Sequence, residues 1–200
     1  VANGDLTTLE NVKAFAFPGD DTVARDRALT LLIASASKWF ADEFRAVVRR
    51  PLLRFTTTRT LDGNGKPRIS LPHFPVSSVA SVKIDGIPVN PSTAITDLGG
   101  WVLSNAGIGE LALRGQVFRK DLQNVEVTYT AGCYAWTDDL ANIPANIQQA
   151  VVEWVATDFQ RAKRLGVTAE NVAGSSTTYG PAGIPANVAA VIESYCKAEF

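Results

Sequence analysis

The sequence has little of what most catalytic centres and secreted modules are built from: one histidine, two cysteines and, over 200 residues, a formal net charge of only −1. Each scarcity removes a class of function. Cys133 and Cys196 stand far apart, without the close pairing of a disulfide framework or a zinc site, so both are expected as reduced thiols. The near-neutral balance gives no overall attraction to nucleic acid or to an anionic membrane and leaves only local patches. No run approaches the ~20 apolar residues that span a bilayer. The opening VANGDLTT lacks the basic and apolar regions of a signal peptide, and the expectation is a protein made and kept in a cytoplasm.

What remains is globular composition, 46% hydrophobic and 20% charged, over a length that makes one ordinary domain with a sizeable core. Thr7 or Thr8 can cap a short helix through Leu9, Val12, Ala16 and Phe17 that Pro18-Gly19 ends. Asp20-Asp21-Thr22 then opens a long helix, where acidic residues suit the dipole. In it Ala28, Leu32, Ala36, Trp39, Phe40, Phe44, Val47 and Val48 recur at helical spacing until Pro51. Arg45 and Arg49 share a side of it, with Asp42 three residues before Arg45. They read as a solvated face with a weak ion pair, or as a contact for a partner's acidic surface.

From residue 52 to residue 132 the period falls to two. Asp62-Gly63-Asn64-Gly65 tolerates positive φ and predicts a hairpin between residues 55–61 and 68–71. Pro72 and Pro75 stiffen the corner around His73-Phe74. Val79, Val82 and Ile84 begin a further strand, and Asp85-Gly86 turns it toward Ile87-Pro88-Val89. Val125, Val127 and Tyr129 alternate with Glu126 and Thr128, and Leu111 and Leu113 do the same on a shorter strand. Short turns without helical crossovers predict antiparallel pairing and exclude a doubly wound parallel sheet. Helix returns after Ile143-Pro144-Ala145-Asn146, with Ile147, Val151, Trp154 and Val155 on one face. It returns again after Ile184-Pro185-Ala186-Asn187, with Val188, Val191, Ile192 and Tyr195. Between these helices the glycine- and serine-rich residues 174–183 are expected to form a mobile or partner-ordered loop.

No active site emerges from the candidates. His73 has no cysteine or serine elbow and no second histidine with which to share a metal, and reads as structural. Asp62 and Asn64 begin like a calcium loop, but Lys66 and Pro67 stand where further oxygen ligands belong, and no glutamate closes the loop. Asp138-Asp139 precedes a helix, where acids are ordinary. Gly174-Ser175-Ser176-Thr177 lacks the lysine of a phosphate loop. Of the four tryptophans, Trp39 and Trp154 are expected in the helical core, and none forms a stacking platform. Turn tips, a glycine-serine stretch and a short apolar terminal helix describe interaction surfaces, as an assembly subunit would carry.

The order of several motifs resembles the head–tail connector (adaptor) proteins of long-tailed bacteriophages. These are the long helix ending near Arg49-Arg50-Pro51, the turn from Thr60 to Gly65, Leu71-Pro72-His73-Phe74-Pro75-Val76, VEVTYTAG from Val125, Ile143-Pro144, Tyr179-Gly180 and Ile184-Pro185. The resemblance implies an α+β fold: a helical bundle with an inserted antiparallel β segment between the long N-terminal helix and the C-terminal helices. As one connector domain over residues 1–200 it would be helical at 5–50, β at 52–132, helical at 143–166, a flexible loop at 174–183 and a terminal helix at 184–197. It implies a structural virion protein without enzymatic activity, cofactor or metal, located in the neck after synthesis in the host cytoplasm. Its copies would form a ring, twelve-fold by family resemblance, between the capsid portal and a stopper or tail-completion protein, with DNA passing through the channel unbound and no membrane contact. The resemblance places portal contacts at Tyr195, Lys197, Phe200 and the loop carrying Tyr179, and the turn Asp62, Gly63, Asn64 and Gly65 is expected to touch neighbouring subunits or the next ring.

Two other readings compete. A cell-wall or glycan hydrolase needs carboxylates gathered in a cleft, whereas Asp62, Asp85 and Asp97 all sit in turn-like text. A DNA-binding module would rest on Arg45, Arg49, Arg50 and Arg54, the only dense basic group.

Overall fold

The computed structural model describes residues 4–18, 23–93, 99–137, 140–162, 169–172, 175–178 and 184–196. They belong to two compact units, one within residues 49–135 and the other within residues 1–48 and 136–199.

The first unit is made of strands: β1 (Phe55–Gly63), β2 (Arg68–Ser70), β3 (Val76–Ile84), β4 (Ile87–Val89), β5 (Trp101–Asn105), β6 (Glu110–Leu113) and β7 (Asp121–Ala131). They form two antiparallel sheets, in the orders β1-β7-β3-β4 and β2-β6-β5. The strand β7 is the spine of the larger sheet, because Val125 lies opposite both Leu61 of β1 and Ile84 of β3. Its alternation is the one the sequence predicts: Val125, Val127, Tyr129 and Ala131 are buried, while Glu126, Thr128 and Thr130 keep one side in water. Val76, Val82 and the buried row of β7 share a core with Ile69, Leu111 and Leu113 of the smaller sheet and with Phe118. The two sheets therefore bury their apolar faces against each other, each large side chain contributing on the order of 1.5–3 kcal/mol. The other face of the larger sheet is polar, with Thr56 hydrogen-bonded to Thr130 at 2.8 Å, Thr58 to Thr128 at 2.9 Å, and Lys83 bridging Glu126 at 2.8 Å.

The predicted hairpin at Asp62-Gly63-Asn64-Gly65 does not form. The chain does turn there, but β1 pairs with β7 whereas β2 crosses to the other sheet and pairs with β6. The turn is a corner between sheets. Asp85-Gly86, by contrast, is a tight two-residue turn between β3 and β4, with φ of 52° and 78°. The strand β4 lies at the sheet's edge, where Pro88 can be accommodated.

The second unit holds the helices α1 (Leu9–Ala16), α2 (Asp26–Val48), α3 (Ala145–Ala162) and α4 (Ala186–Cys196). Thr8 caps α1, its Oγ1 accepting from the Asn11 amide at 3.0 Å. Pro144 and Pro185 supply the first carbonyls of α3 and α4, so the repeated Ile-Pro-Ala-Asn is repeated helix-start chemistry. The row Leu29, Ile33, Phe40 and Phe44 of α2 is buried, as are Val151 and Val155 of α3 and Val188 and Ile192 of α4. Residues Ala28, Leu32 and Trp39, expected on the core face, are turned away from that row. Trp39 is 57% exposed, whereas Trp154 is 7% exposed and buried as expected.

A helical bundle with one inserted β segment is therefore the wrong description of this α+β chain. Strands outnumber α-helices among the described residues, nine to four. The strands β8 (Ala169–Val172) and β9 (Ser175–Thr178) make an antiparallel pair, the second of them within residues 174–183. The β part is a two-sheet body with its own core. Period two marks the strands along the chain, but which strands pair, and that they divide into two sheets, depends on contacts between distant residues.

Candidate interaction surfaces

The turn at Asp62–Gly65 is held as a rigid corner by bonds to residues 118–124. Asp62 Oδ1 accepts from the Gln123 amide at 2.7 Å, and Asn124 Oδ1 accepts from the Gly63 amide at 2.8 Å. Asn124 Nδ2 donates to the Arg119 carbonyl at 3.0 Å, and the Gly65 amide donates to the Phe118 carbonyl at 2.7 Å. Asn64 closes the turn from within, accepting from the Lys66 amide and donating to the Arg68 carbonyl, both at 2.8 Å. Asp62, Asn64 and Gly65 face solvent and Gly63 is buried. Around them stand Lys66, Arg119, Lys120 and Asp121, with Leu122 79% exposed. Arg119 reaches Asp85 only at 4.0 Å, a weak and wet pair. A braced, mixed-charge tip with a protruding leucine suits contact with another protein.

His73 and Tyr129 account for each other. His73 is buried, its Nδ1 lies 3.0 Å from the Tyr129 hydroxyl, and the Phe55 ring meets the imidazole edge-on at 5.2 Å. Burial pushes the Tyr129 phenol above its ordinary pKa, while the His73 hydrogen bond and the Arg59 charge pull it back. Burial likewise raises the Cys133 thiol against the pull of Arg50 and Arg54, which keeps it protonated at neutral pH. Arg50 also lies over the Phe74 ring, 5.7 Å from its centroid. The Asp62 carboxylate is engaged by a backbone amide, and Asp85 faces Arg119, so neither has the setting of a glycosidase acid. Among the described residues no group of three or more His, Cys, Asp and Glu is placed to hold a metal, and no helix is long and apolar enough to cross a membrane.

Tyr195 is half-buried. Its hydroxyl donates to Asn146 Oδ1 at 2.9 Å and its ring meets Phe44 edge-on at 5.6 Å, while Asn187 Nδ2 donates to Glu153. Together these bonds seat α4 on α2 and α3. Tyr179, Lys197 and Phe200 lie outside the described residues, as do Asp97, Asp138 and Asp139.

The sequence reading missed a groove of about 440 Å³ in the helical unit, lined by Leu32, Ser35, Ala36, Trp39, Trp154, Asp158 and Ile184. The available signal was the excess of apolar residues on α2, more than one buried face can use.

Exposed, braced turn tips and an apolar groove on an α+β chain suit the class of an assembly protein. The chain belongs to the head completion protein family, whose profile matches residues 5–198. No curated protein matches it. Among solved structures it is similar to a chain in the neck of an empty gene transfer agent (GTA) particle computed with C6 symmetry, at 18% identity and a TM-score of 0.56, covering 100% of this chain and 94% of that one. It is also similar to a chain in the virion of a native GTA particle, at 18% identity and a TM-score of 0.52 with the same coverage. At that identity the likeness is one of fold.

Proposed function

We propose that this head completion protein is a head–tail adaptor, a structural component of the neck of a phage or phage-like particle. The observation that carries the reading is the family match over residues 5–198. The fold shared with chains from a GTA neck and a GTA virion supports it. In this reading many copies form a ring between the portal and a stopper or tail-completion protein, and DNA passes through the channel without specific binding. Both compact units act together as one connector domain. The braced corner Asp62–Gly65, with Leu122 beside it, contacts neighbouring subunits or the next ring. Tyr195 helps to seat α4 on α2 and α3 through its bonds to Asn146 and Phe44, and Tyr195, Lys197, Phe200 and Tyr179 are the residues offered to the portal. The test is to mix purified chain with portal and image the product. A ring seated on the portal is expected, and a chain that neither forms a ring nor binds portal refutes the reading.

A further inference from the structure

We infer that the Trp39 groove is the receiving half of a contact between copies of this chain, and that it receives an arginine from the opposite flank of α2 on a second copy. The inference rests on the ring reading above and names the two surfaces through which copies meet. Helix geometry separates those surfaces. Each residue advances about 100° around the axis, so residues seven, eleven and eighteen apart fall close to one line. Arg27, Ala34, Lys38 and Arg45 follow one such line along α2, and Ala28, Ser35, Trp39 and Ala46 follow another, about 100° further round. The first line is basic. The second is apolar and opens into the groove, whose lining has a single charged residue, Asp158.

Acceptor and donor are both incompletely used within one copy. Among the described residues Asp158 meets only Arg161, three residues on, at 3.8 Å, and the two side chains are 38% and 39% exposed. Trp39 offers a largely exposed ring, a surface on which a guanidinium stacks while its stem covers apolar neighbours such as Leu32. A carboxylate beside that ring accepts the planar fork of an arginine. On the basic flank Lys38 is engaged by Asp42 at 2.9 Å, but Arg27 and Arg45 make no ion pair among the described residues. A two-fold dimer through either flank would set like against like. Joining unlike flanks of the same helix is a heterologous contact, which repeats by rotation and closes into a ring when the rotation closes.

Charge reversal in the full chain tests this, with ring formation on portal read by imaging and the fold of each variant by circular-dichroism melting. Asp158→Arg is expected to reduce ring formation by more than about tenfold without lowering the melting temperature, and so is Arg45→Glu or Arg27→Glu, whichever is the donor. Combining Asp158→Arg with the donor's reversal in one chain presents the exchanged pair at every contact and restores the ring. Rings from all single variants at the parental level overturn the contact while leaving the ring reading intact, and so do losses that neither combination rescues. A photocrosslinker at position 39 that captures portal instead of a second copy overturns it too. Failure of the unmodified chain to form any ring refutes the ring reading itself.

Discussion

At Gly63 a single methyl group should be costly for its size. A Cβ built there would lie 1.8 Å from the Arg119 carbonyl oxygen and 2.8 Å from Asn124 Oδ1, whereas real Cβ contacts stay beyond 3.0 Å. To accept Gly63→Ala, β1 or the Arg119 peptide must retreat by about 1.2 Å, the gap between 1.8 and 3.0 Å. That movement pulls on the Gly63 amide bond to Asn124 and on the Asn124 bond to Arg119, at 2.8 and 3.0 Å. Two hydrogen bonds at about 1 kcal/mol each, with about 1 kcal/mol of overpacking, give a loss of about 3 kcal/mol. At roughly 2–4 °C per kcal/mol for a chain of this size, the melting temperature falls by about 6–12 °C. The assay is thermal unfolding of the purified chain, with hydrogen exchange of the Asp121–Ala131 peptide locating the loss in the β unit. A Gly63→Ala protein melting within about 1 °C of the parent refutes the reasoning, since that would mean the corner yields at almost no cost.

Further expectations follow from other contacts. The Tyr129 phenol has its pKa raised above 10.0 by burial, so as pH rises through that value the unfolded chain loses its proton first and the folded state is progressively destabilised. Urea midpoints of the parent should therefore fall through this window, and Tyr129→Phe should remove that part of the slope while costing on the order of 1–3 kcal/mol at neutral pH for the partner lost to buried His73. Arg49 holds φ at 60° just beyond α2, where glycine is unstrained, and Arg49→Gly should stabilise by about 1 kcal/mol in a denaturant melt. Leu122→Asp, at an exposed tip, should leave stability within about 0.5 kcal/mol of the parent yet reduce ring formation on portal, as counted in images.

Local chemistry was legible in the sequence wherever one stretch of chain decides the outcome alone. The Thr8 cap, the alternation of β7, the turn at Asp85-Gly86 and the proline starts of α3 and α4 all depend on residues within a few positions of each other. Pairing was not legible. Thr58 meets Thr128 across 70 residues, and nothing in either stretch names the other. The Asp62–Gly65 corner shows the limit most plainly: its residues encode a reversal, but β1 goes on to pair with β7 and β2 with β6, partners far along the chain. On α2 the error was one of phase. Apolar residues cover more than a single face, so spacing alone did not separate the buried row of Leu29 and Ile33 from the exposed line through Trp39.

Pro88 has a consequence for how copies coexist at high concentration. A sheet can lengthen from molecule to molecule without end only if both of its margins accept a new strand. In the larger sheet one margin is β1, nine residues long, and the other is the three-residue β4. With Pro88 at its centre, β4 has no amide hydrogen there to offer an incoming strand. A chain added to β1 would leave no second template behind it, so stacking through this sheet stops after a single step. The larger sheet thus carries its own terminator against fibre growth, and association at other surfaces can proceed without that competing route.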